Sequence, residues 1–591
     1  MRAEGDHSAL KVLVLGGSGV FGSRIARLIA ADPAIEVIIG GRDLARAEKT
    51  ALQIQVQVPG AKVSARKIDS NGDEFYAELR QLNVGLVINA VGPFRGQDYT
   101  VAQAAIACRA HYLDLADDRD FVERFRRLNK AAIDADCVAL TGVSSVPALS
   151  STVVASLAEG LARVSEIRIG ITPGNRGPRG LAVVKTVLMG VGQPSEQLKA
   201  GAWLPVRGWQ DTHRRTLKVE GRRTLKRRFS HVEVPDPDFL HERYPAARTI
   251  TFHAGLELGF QHLGLCVLSA LVERGWIKNA AIFAAPLEWL AQMTKWMGRD
   301  EGGMFVEVIG RDLQRQWVKR CWTLHAASGD GPMIPAMASA ILAKEIAAGI
   351  VPAPGARAAI AAIKLSSVEE MMAGFDIKTE RRDEPLAGPL YAILLGRKST
   401  ELPNHIRDMH FSNITARYGG GATVKRGKNI VSRFAGWLLG MPKASESMPV
   451  TVTITPDDSG ELWQRTFGTR SFSSRMSIVE RRNEKLLREK FGPFEFDFKV
   501  DCDDKHLAMA HTRTRFFGLP WLKFLGPRIK AEERVERGRF IFDVRANLPL
   551  LGLLVHYTGW LVPLSTATAL EPRRQSEGAS ALPWESADWQ N

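Results

Sequence analysis

The chain of 591 residues has few cysteines and no pairing pattern among them. The five cysteines are widely spaced and none belongs to a Cys-x-x-Cys pair: Cys108, Cys137, Cys266, Cys321 and Cys502. Disulfide frameworks and zinc sites both need a recognisable cysteine spacing, so we expect neither. The pattern predicts reduced thiols in a cytoplasmic protein without a bound metal.

Signals for export or membrane insertion are also scarce. The N-terminus, MRAEGDHSALKVLVLGG, carries acidic residues and lacks the apolar core and cleavage site of a signal peptide. Residues 546–570 contain no Asp, Glu, Lys or Arg and are long enough for a span of about 20 residues. Asn547, Pro549, His556 and Pro563 interrupt this stretch. Polar residues and prolines favour two buried strands, or a shallow membrane contact, over a spanning helix.

Acidic residues are the minority charge, at 64 against 79 lysines and arginines, which leaves a net charge of +15. This excess favours an anionic partner. Because no RNP-type motif, zinc-finger spacing or basic-region heptad is present, we expect no nucleic-acid partner. The segment Arg207–Arg228 is strongly basic and reads as a hairpin that turns at Glu220 and Gly221. It is either a solvated hairpin face or a site for an anionic substrate or membrane surface.

The length predicts two to four domains, because single cores stop growing near roughly 250–300 residues. The first third alternates short apolar runs with amphipathic segments, which predicts a doubly wound parallel α/β sheet. Six strands are expected there: Leu10–Leu15, Glu36–Ile39, Lys62–Ile68, Val84–Val91, His111–Leu115 and Asp136–Leu140.

The regular alternation of predicted strands and helices ends after residue 143. We predict a Rossmann domain at 8–143, an α+β domain at 144–380 and a strand-rich domain at 390–566. Strand-like segments are expected near 180–234 and 249–258, and the charged stretch Lys378–Pro389 has the composition of a linker. Residues 571–591 are predicted to be a disordered tail.

The loop after the first predicted strand has the sequence GGSGVFG, which contains G-x-G-x-x-G. This motif alone is weak evidence, but here it follows a strand and opens a helix, as a dinucleotide-binding loop does. Glycines allow the tight turn and the close approach of backbone to a pyrophosphate, which the free N–H groups of the helix then bind. The predicted cofactor contacts in this loop are Gly17, Ser18, Gly19, Val20, Phe21 and Gly22.

The end of the second strand indicates which dinucleotide is bound. NAD-binding proteins commonly place an acid there, whereas this chain has Arg42 followed by Asp43. An arginine can hold a 2′-phosphate with its planar set of donors, and Asp43 can either cap the next helix or take the ribose. We therefore predict NADP as the cofactor, with NAD as the alternative.

Two more loops are expected at the same sheet edge. Asp69 follows the third strand, where a side chain can meet the adenine, and the fourth strand ends near the nicotinamide ribose. These residue types are also ordinary turn formers, so a purely structural role remains open. The predicted cofactor contacts of these two loops are Asp69, Asn89, Ala90, Gly92 and Pro93.

The proton-transfer group is harder to assign. None of the seven tyrosines is followed four residues later by lysine, which argues against the short-chain dehydrogenase class. We predict His111, Tyr112 and Asp114 as catalytic residues, because the fifth strand should end at the cofactor crevice and histidine titrates near neutrality. Alternatively, His111 and Tyr112 fill the sheet and Asp114 caps a helix.

Several segments together resemble a known family. The run VINAVGPFRGQ, the run VAQAAIACRAHYLDLADD and the later Gly329–Pro332 segment with its helix Met337–Ala348 resemble the saccharopine-dehydrogenase-like family over roughly residues 8–350. The resemblance implies an NAD(P)-dependent oxidoreductase whose α+β domain supplies substrate contacts and oligomerisation. The third domain, with LPNHIRDMHF and FGPFEFDF, resembles an uncharacterised bacterial domain.

Two functional hypotheses remain from the sequence. The first is an NADP-dependent oxidoreductase acting on a small carbonyl or imine substrate. The second is a non-catalytic NADP-binding scaffold at a membrane or lipid surface. The expected partners are a nicotinamide dinucleotide and a small-molecule substrate, with a peripheral membrane contact and a homodimer left open.

Overall fold

A computed structural model describes residues 9–564 except 73, 178–180, 387, 428–443, 458, 482–483, 523–525 and 550–551. The predicted tail 571–591 lies outside the described residues. Alternating strands and helices build the N-terminal unit. Its elements are β1 (Leu10–Leu15), α1 (Gly22–Ala30), β2 (Ile35–Gly41), α2 (Leu44–Gln57), β3 (Val63–Lys67), α3 (Phe75–Leu82), β4 (Leu86–Asn89), α4 (Thr100–Ala107), β5 (His111–Asp114), α5 (Arg119–Arg124), α6 (Asn129–Asp134) and β6 (Val138–Thr141).

A second set of elements follows, in which strands and helices mix. They are α7 (Ser150–Ala158), β7 (Leu161–Thr172), α8 (Leu181–Gly190), β8 (Pro194–Lys199), β9 (Ala202–Arg207), β10 (His213–Leu217), β11 (Leu225–His231), α9 (Asp236–Arg243), β12 (Thr249–Ala254), α10 (Gly259–Glu273), α11 (Ala284–Met293), β13 (Gly302–Asp312), β14 (Trp317–Ala326), α12 (Ile334–Ala347), β15 (Gly355–Ala358), α13 (Leu365–Met372) and β16 (Ile377–Pro385).

The remaining elements begin with two short helices and continue as strands. They are α14 (Leu390–Leu395), α15 (Asn404–His410), β17 (Ala416–Arg426), β18 (Ser445–Asp457), β19 (Gly460–Phe467), β20 (Arg470–Arg481), β21 (Glu484–Phe491), β22 (Phe494–Cys502), β23 (His506–Phe516), β24 (Leu519–Pro520), β25 (Arg528–Glu536), β26 (Arg539–Leu548) and β27 (Gly552–Pro563).

The N-terminal sheet confirms the predicted doubly wound α/β fold. Its strands are parallel and run in the order β15-β6-β5-β4-β1-β2-β3. Strand order reverses between β1 and β4, and ligands of such sheets bind at that crevice beyond the carboxyl ends of the strands. One strand was not expected: β15 returns from far along the chain to pair with β6.

The second sheet is mixed, in agreement with the predicted α+β class. Its main path is β10-β11-β12-β7-β13-β14-β16, with β8 and β9 attached through β12. Two local predictions are wrong. Residues 181–190 form helix α8 instead of a strand, and the charged segment expected to be a linker forms β16 along β14. Its charges suit a strand because Lys319 and Arg320 of β14 face Glu384 and Asp383 of β16.

The third sheet confirms the predicted strand-rich domain and closes on itself. Ten antiparallel strands follow in the order β22-β21-β20-β19-β18-β17-β27-β26-β25-β23, and β23 pairs back with β22. The uncharged stretch 546–570 contributes the end of β26 and all of β27, and its residues 550–551 and 565–570 lie outside the described part. Among the described helices, none has both the length and the apolar character needed to cross a membrane.

Candidate functional site

The glycine loop joins β1 to α1 and folds too tightly for larger residues. A Cβ at Gly17 would lie 2.8 Å from the carbonyl oxygen of Val14. A Cβ at Gly22 would lie only 2.3 Å from the carbonyl oxygen of Gly16. Gly19 is less crowded, because its Cβ would meet the same oxygen at 3.0 Å. Gly17 and Gly22 therefore fix the turn, and Gly19 lies where the loop faces outward.

The same loop offers unused backbone donors. Among the described residues, the N–H groups of Ser18, Val20 and Phe21 have no protein acceptor. They lie just before the first turn of α1, where the helix dipole favours negative charge. Free backbone amides at a tight glycine turn fit a dinucleotide pyrophosphate.

Cations surround the end of β2. Asp43 caps α2, with its carboxylate accepting a hydrogen bond from the Arg46 N–H at 3.0 Å. This occupies Asp43 and leaves Arg42 exposed to solvent. The Arg46 guanidinium donates to the carbonyl oxygen of Ser18 at 3.3 Å, and exposed Lys67 lies opposite Gly41 on β3. The adenosine side of the crevice is therefore basic, which suits a 2′-phosphate.

Asp69 follows β3 and its side chain closes a turn. Its carboxylate accepts a hydrogen bond from the Asn71 N–H at 3.1 Å, and the residue remains exposed. This is the turn role that the sequence left open. A contact between Asp69 and the cofactor stays a prediction.

Asn89 ends β4 and is almost completely buried. Its amide oxygen accepts from the Val91 N–H at 3.0 Å, and its amide nitrogen donates to the Tyr112 hydroxyl at 3.3 Å. The Ala90 N–H donates to the carbonyl of Leu15 at 3.0 Å, so the segment that continues into Gly92 and Pro93 is anchored to the end of β1. The loop after β4 thus lies beside the glycine loop, as predicted.

The three residues of β5 that were predicted to be catalytic do not lie together at the crevice. His111 begins the strand, so it lies at the amino edge of the sheet, away from the crevice, where its Nδ1 accepts from the Val138 N–H at 3.1 Å. The expectation that His111 faces the cofactor crevice is wrong. The strand enters the sheet at His111 and reaches the carboxyl edge only at Asp114.

Tyr112 and Asp114 lie inside the domain. Tyr112 is 1% exposed and Asp114 is 0% exposed. Asp114 accepts hydrogen bonds from the Thr141 hydroxyl and the Gly142 N–H, both at 2.8 Å, and so joins the ends of β5 and β6. Burial raises the pKa of Asp114 to about 6 and that of Tyr112 well above 10. Their contacts support a positioning role, and a direct catalytic role stays a prediction.

The loop after β5 contains a carboxylate that the sequence did not single out. Asp117 is exposed to solvent, and partial desolvation raises the pKa of its carboxyl to about 6. Neighbouring Asp118 raises the pKa further, whereas Arg95 lowers it. An accessible carboxyl that titrates near neutrality can exchange protons with a ligand.

Arg95 connects this edge to the second sheet. Its guanidinium donates to Asp118 at 2.8 Å, to Glu233 at 2.9 Å and to the carbonyl of Met189 at 3.3 Å. A second arginine, Arg119, forms a two-point contact with Asp238 of α9. Helices α8 and α9 and the loop before α9 are therefore held close to the loop that carries Asp117 and Asp118.

Two parts of the chain match known families of domains. Residues 12–140 match the saccharopine dehydrogenase NADP binding domain. NAD(P) is thus the cofactor class of this domain, and the resemblance seen in the sequence is confirmed. Residues 402–561 match a domain of unknown function, DUF4166, which confirms the second resemblance without adding an activity. No curated protein matches the chain significantly.

Solved structures resemble the chain only distantly. Apo saccharopine dehydrogenase (L-Glu forming) from Saccharomyces cerevisiae is 15% identical, with 64% of this chain and 100% of that chain covered at a TM-score of 0.47. A dehydrogenase from Chromobacterium violaceum is 10% identical, with coverages of 54% and 75% and a TM-score of 0.25. GenD2 from gentamicin A biosynthesis, in complex with NAD, is 17% identical, with coverages of 53% and 72% and a TM-score of 0.26.

Three residues of the NADP-binding domain were not predicted as site residues from the sequence. Arg46 lies four residues after Arg42, so helical spacing could have placed both near one end of α2. Lys67 ends β3 directly opposite the end of β2, and this pairing can be recognised only when the register of the two strands is known. Asp117 needed the loop geometry, because consecutive Asp117 and Asp118 look alike in sequence and only Asp118 caps α5.

Proposed function

We propose that the chain is an NADP-dependent oxidoreductase acting on a small carbonyl or imine substrate. The observation that carries the proposal is the cradle of free amides in the glycine loop, set beside Arg42, Arg46 and Lys67. A bound nicotinamide would supply or accept the hydride. The chain's own residues then bind the cofactor, hold the substrate and move one proton.

Asp117 is the residue we assign to proton transfer. It is accessible, it follows the carboxyl end of β5, and its pKa of about 6 lets it hold or release a proton near neutral pH. Tyr112 and Asp114 are positioning residues in this proposal. Tyr112 holds Asn89 in place, and Asp114 holds the ends of β5 and β6 together. Arg95 contacts Asp118 at 2.8 Å and so keeps that neighbouring carboxylate paired.

Turnover of NADPH with a panel of carbonyl and imine compounds tests the proposal. Asp117→Asn should lower kcat by about 100-fold or more, the usual contribution of a general acid or base, without weakening NADPH binding. The wild-type pH profile should break near pH 6 and the variant should lack that break. Asp120→Asn, an exposed residue on α5, is the matched control. An unchanged pH profile in Asp117→Asn would remove this assignment.

The scaffold hypothesis differs in one measurable respect. A non-catalytic scaffold would bind NADPH with the same selectivity, because the loop and its arginines are unchanged, yet it would oxidise NADPH with no compound of the panel. NADPH oxidation that depends on both a panel compound and Asp117 would exclude it.

Helices α10 and α11 expose an unusual apolar surface, residues 259–297, which we call the apolar cap. On α10 the exposed face carries Phe260, Leu263 and Val267, whereas the buried positions are His262 and Ser269. Leu265, Leu268 and Val272 of the same helix pack inward against a buried cluster, so α10 is apolar on both its inner and its outer face. Such surfaces mark interaction sites, since soluble proteins rarely expose contiguous apolar areas above a few hundred Å².

Tryptophans dominate the same surface. Trp276, Trp289 and Trp296 are 76%, 65% and 76% exposed. Tryptophan concentrates where membranes meet water, because its ring is apolar and its N–H is polar. Other exposed apolar side chains of the apolar cap are Ile282, Phe283, Leu290, Met293 and Met297.

We infer that the apolar cap lies on an anionic lipid surface. Exposed Arg274 and Lys278 flank Trp276, and the whole chain carries a charge of +15, which complements anionic headgroups. Helix α8 packs against α11 and carries Met189, whose carbonyl accepts from Arg95. Helix α8 therefore links the apolar cap to Arg95, the residue that also contacts Asp118.

Vesicle flotation tests the lipid contact. Wild-type protein should float with vesicles of phosphatidylcholine and phosphatidylglycerol, less so with phosphatidylcholine alone, and Trp276→Glu/Trp296→Glu should abolish flotation. Leu313→Glu, an equally exposed apolar residue outside the apolar cap, is the matched control. The alternative is that a second copy of the chain covers the apolar cap. In that case the wild type should not float, it should elute as a homodimer in size-exclusion chromatography, and the double variant should elute as a monomer.

A further inference from the structure

The C-terminal domain is wide enough to enclose a ligand. Its ten strands form one closed antiparallel ring, each strand pairing with its neighbour and β22 with β23. Barrels of about eight strands are just filled by their own side chains or hold one small ligand, and diameter grows with strand number. Here the barrel interior contains a cavity of about 80 Å³.

Most of the cavity wall is apolar. Val450, Val452, Met476, Phe498 and Phe542 line it, and each of these side chains is buried. For comparison, a purely apolar cavity of about 150 Å³ accommodates benzene. A guest in the present cavity should accordingly be smaller than benzene.

One hydroxyl group faces this apolar space without a partner. Tyr391, on α14, lines the cavity and is 0% exposed, and its hydroxyl has no hydrogen-bond partner among the described residues. Burial and nearby glutamates raise its pKa well above 10, so it keeps its proton and can donate. An unpaired buried hydroxyl costs free energy that a ligand acceptor would recover.

The charged groups of the wall are already paired. Arg465 contacts Glu489 at 3.2 Å, and the Ser474 hydroxyl donates to the same carboxylate at 2.6 Å. Glu533 bonds to His410 of α15. An anionic ligand would therefore find no unpaired cation among the described lining residues and would meet two carboxylates.

We propose that the barrel is a binding site for a small, neutral, apolar molecule with one hydrogen-bond acceptor, such as a ketone, which Tyr391 holds through its hydroxyl. The site is separate from the nicotinamide crevice. It does not depend on the proposed oxidoreductase activity, since every contact comes from residues after 390.

Three isosteric probes test this assignment on the full chain: 2-butanone, 2-methyl-1-butene and propionate. Their dissociation constants are measured by saturation-transfer NMR. The ketone should bind about tenfold more tightly than the alkene, the value of one hydrogen bond of about 1.4 kcal/mol, and propionate should bind most weakly.

Variants of the full chain test whether the probes bind inside the barrel. Tyr391→Phe should remove the preference for the ketone and leave alkene binding unchanged, whereas Tyr244→Phe, on the second sheet's side of the molecule, should change nothing. Ala531→Phe fills the cavity and should abolish binding of both neutral probes. Gly19→Val, which blocks the cofactor loop, should retain it.

Some results would overturn the proposal. They are an absence of saturable ketone binding, a preference for propionate, or full ketone selectivity in Tyr391→Phe. Because Tyr391→Phe removes one oxygen atom only, the test does not depend on whether Ala531→Phe folds.

Discussion

Replacing Arg42 by alanine should convert the protein from an NADPH-selective to a non-selective binder. Arg42 is exposed at the end of β2 and Asp43 is occupied by its cap on α2, so Arg42 is free to contact a 2′-phosphate. Hydrogen bonds to charged groups contribute about 1.5–3 kcal/mol, and exposure to solvent reduces this toward the lower value. NADPH affinity should therefore fall by roughly tenfold.

NADH lacks the 2′-phosphate, so its affinity should change little in Arg42→Ala. Arg46→Ala should weaken both cofactors, because Arg46 also donates to the Ser18 carbonyl in the glycine loop. The assay is fluorescence titration of the full chain with each cofactor at two salt concentrations, since phosphate contacts weaken with salt. Arg315→Ala, an exposed arginine in the second domain, is the control.

Equal losses of NADPH and NADH affinity in Arg42→Ala would refute this reasoning, because Arg42 would then contact a part common to both cofactors. Tighter binding of NADH by the wild type would refute it as well.

Three further predictions concern stability. Gly22→Ala should lower the free energy of unfolding by about 1–3 kcal/mol in denaturant titration and abolish NADPH binding, since its Cβ would lie 2.3 Å from the Gly16 carbonyl oxygen. Burial raises the pKa of Asp236 from 3.8 to about 7, so the folded state holds a proton that the unfolded state releases between these values. Stability should fall by about 4 kcal/mol as pH rises across that window, and Asp236→Asn should remove this fall in thermal melts. Arg119→Ala should cost about 3 kcal/mol by leaving Asp238 unpaired, whereas Arg119→Ala/Asp238→Asn should recover part of it.

The local sequence was sufficient for the first Rossmann repeats. Strand β1, the glycine loop and helix α1 are contiguous, so apolar periodicity and glycine spacing specify them together. The cap role of Asp43 could likewise be predicted, as it depends on residues only three positions apart.

Features that depend on distant partners could not be predicted in the same way. Strand β15 joins β6 from more than 200 residues away, and its four residues carry no strand pattern of their own. The charged strand β16 looks like a linker until β14 supplies opposite charges across the ladder. His111 begins β5, so the rule that ligands bind beyond the carboxyl ends of parallel strands places it at the opposite edge of the sheet. The direction of the strand could therefore have excluded it.

A crystal structure of the full chain with NADPH tests the central claim most directly. We predict that the pyrophosphate lies within hydrogen-bond distance of the N–H groups of Ser18, Val20 and Phe21, and that the 2′-phosphate contacts Arg42. The nicotinamide should lie between the loop after β4 and Asp117. A cofactor that leaves these amides free, or that places its 2′-phosphate away from Arg42, would contradict the account.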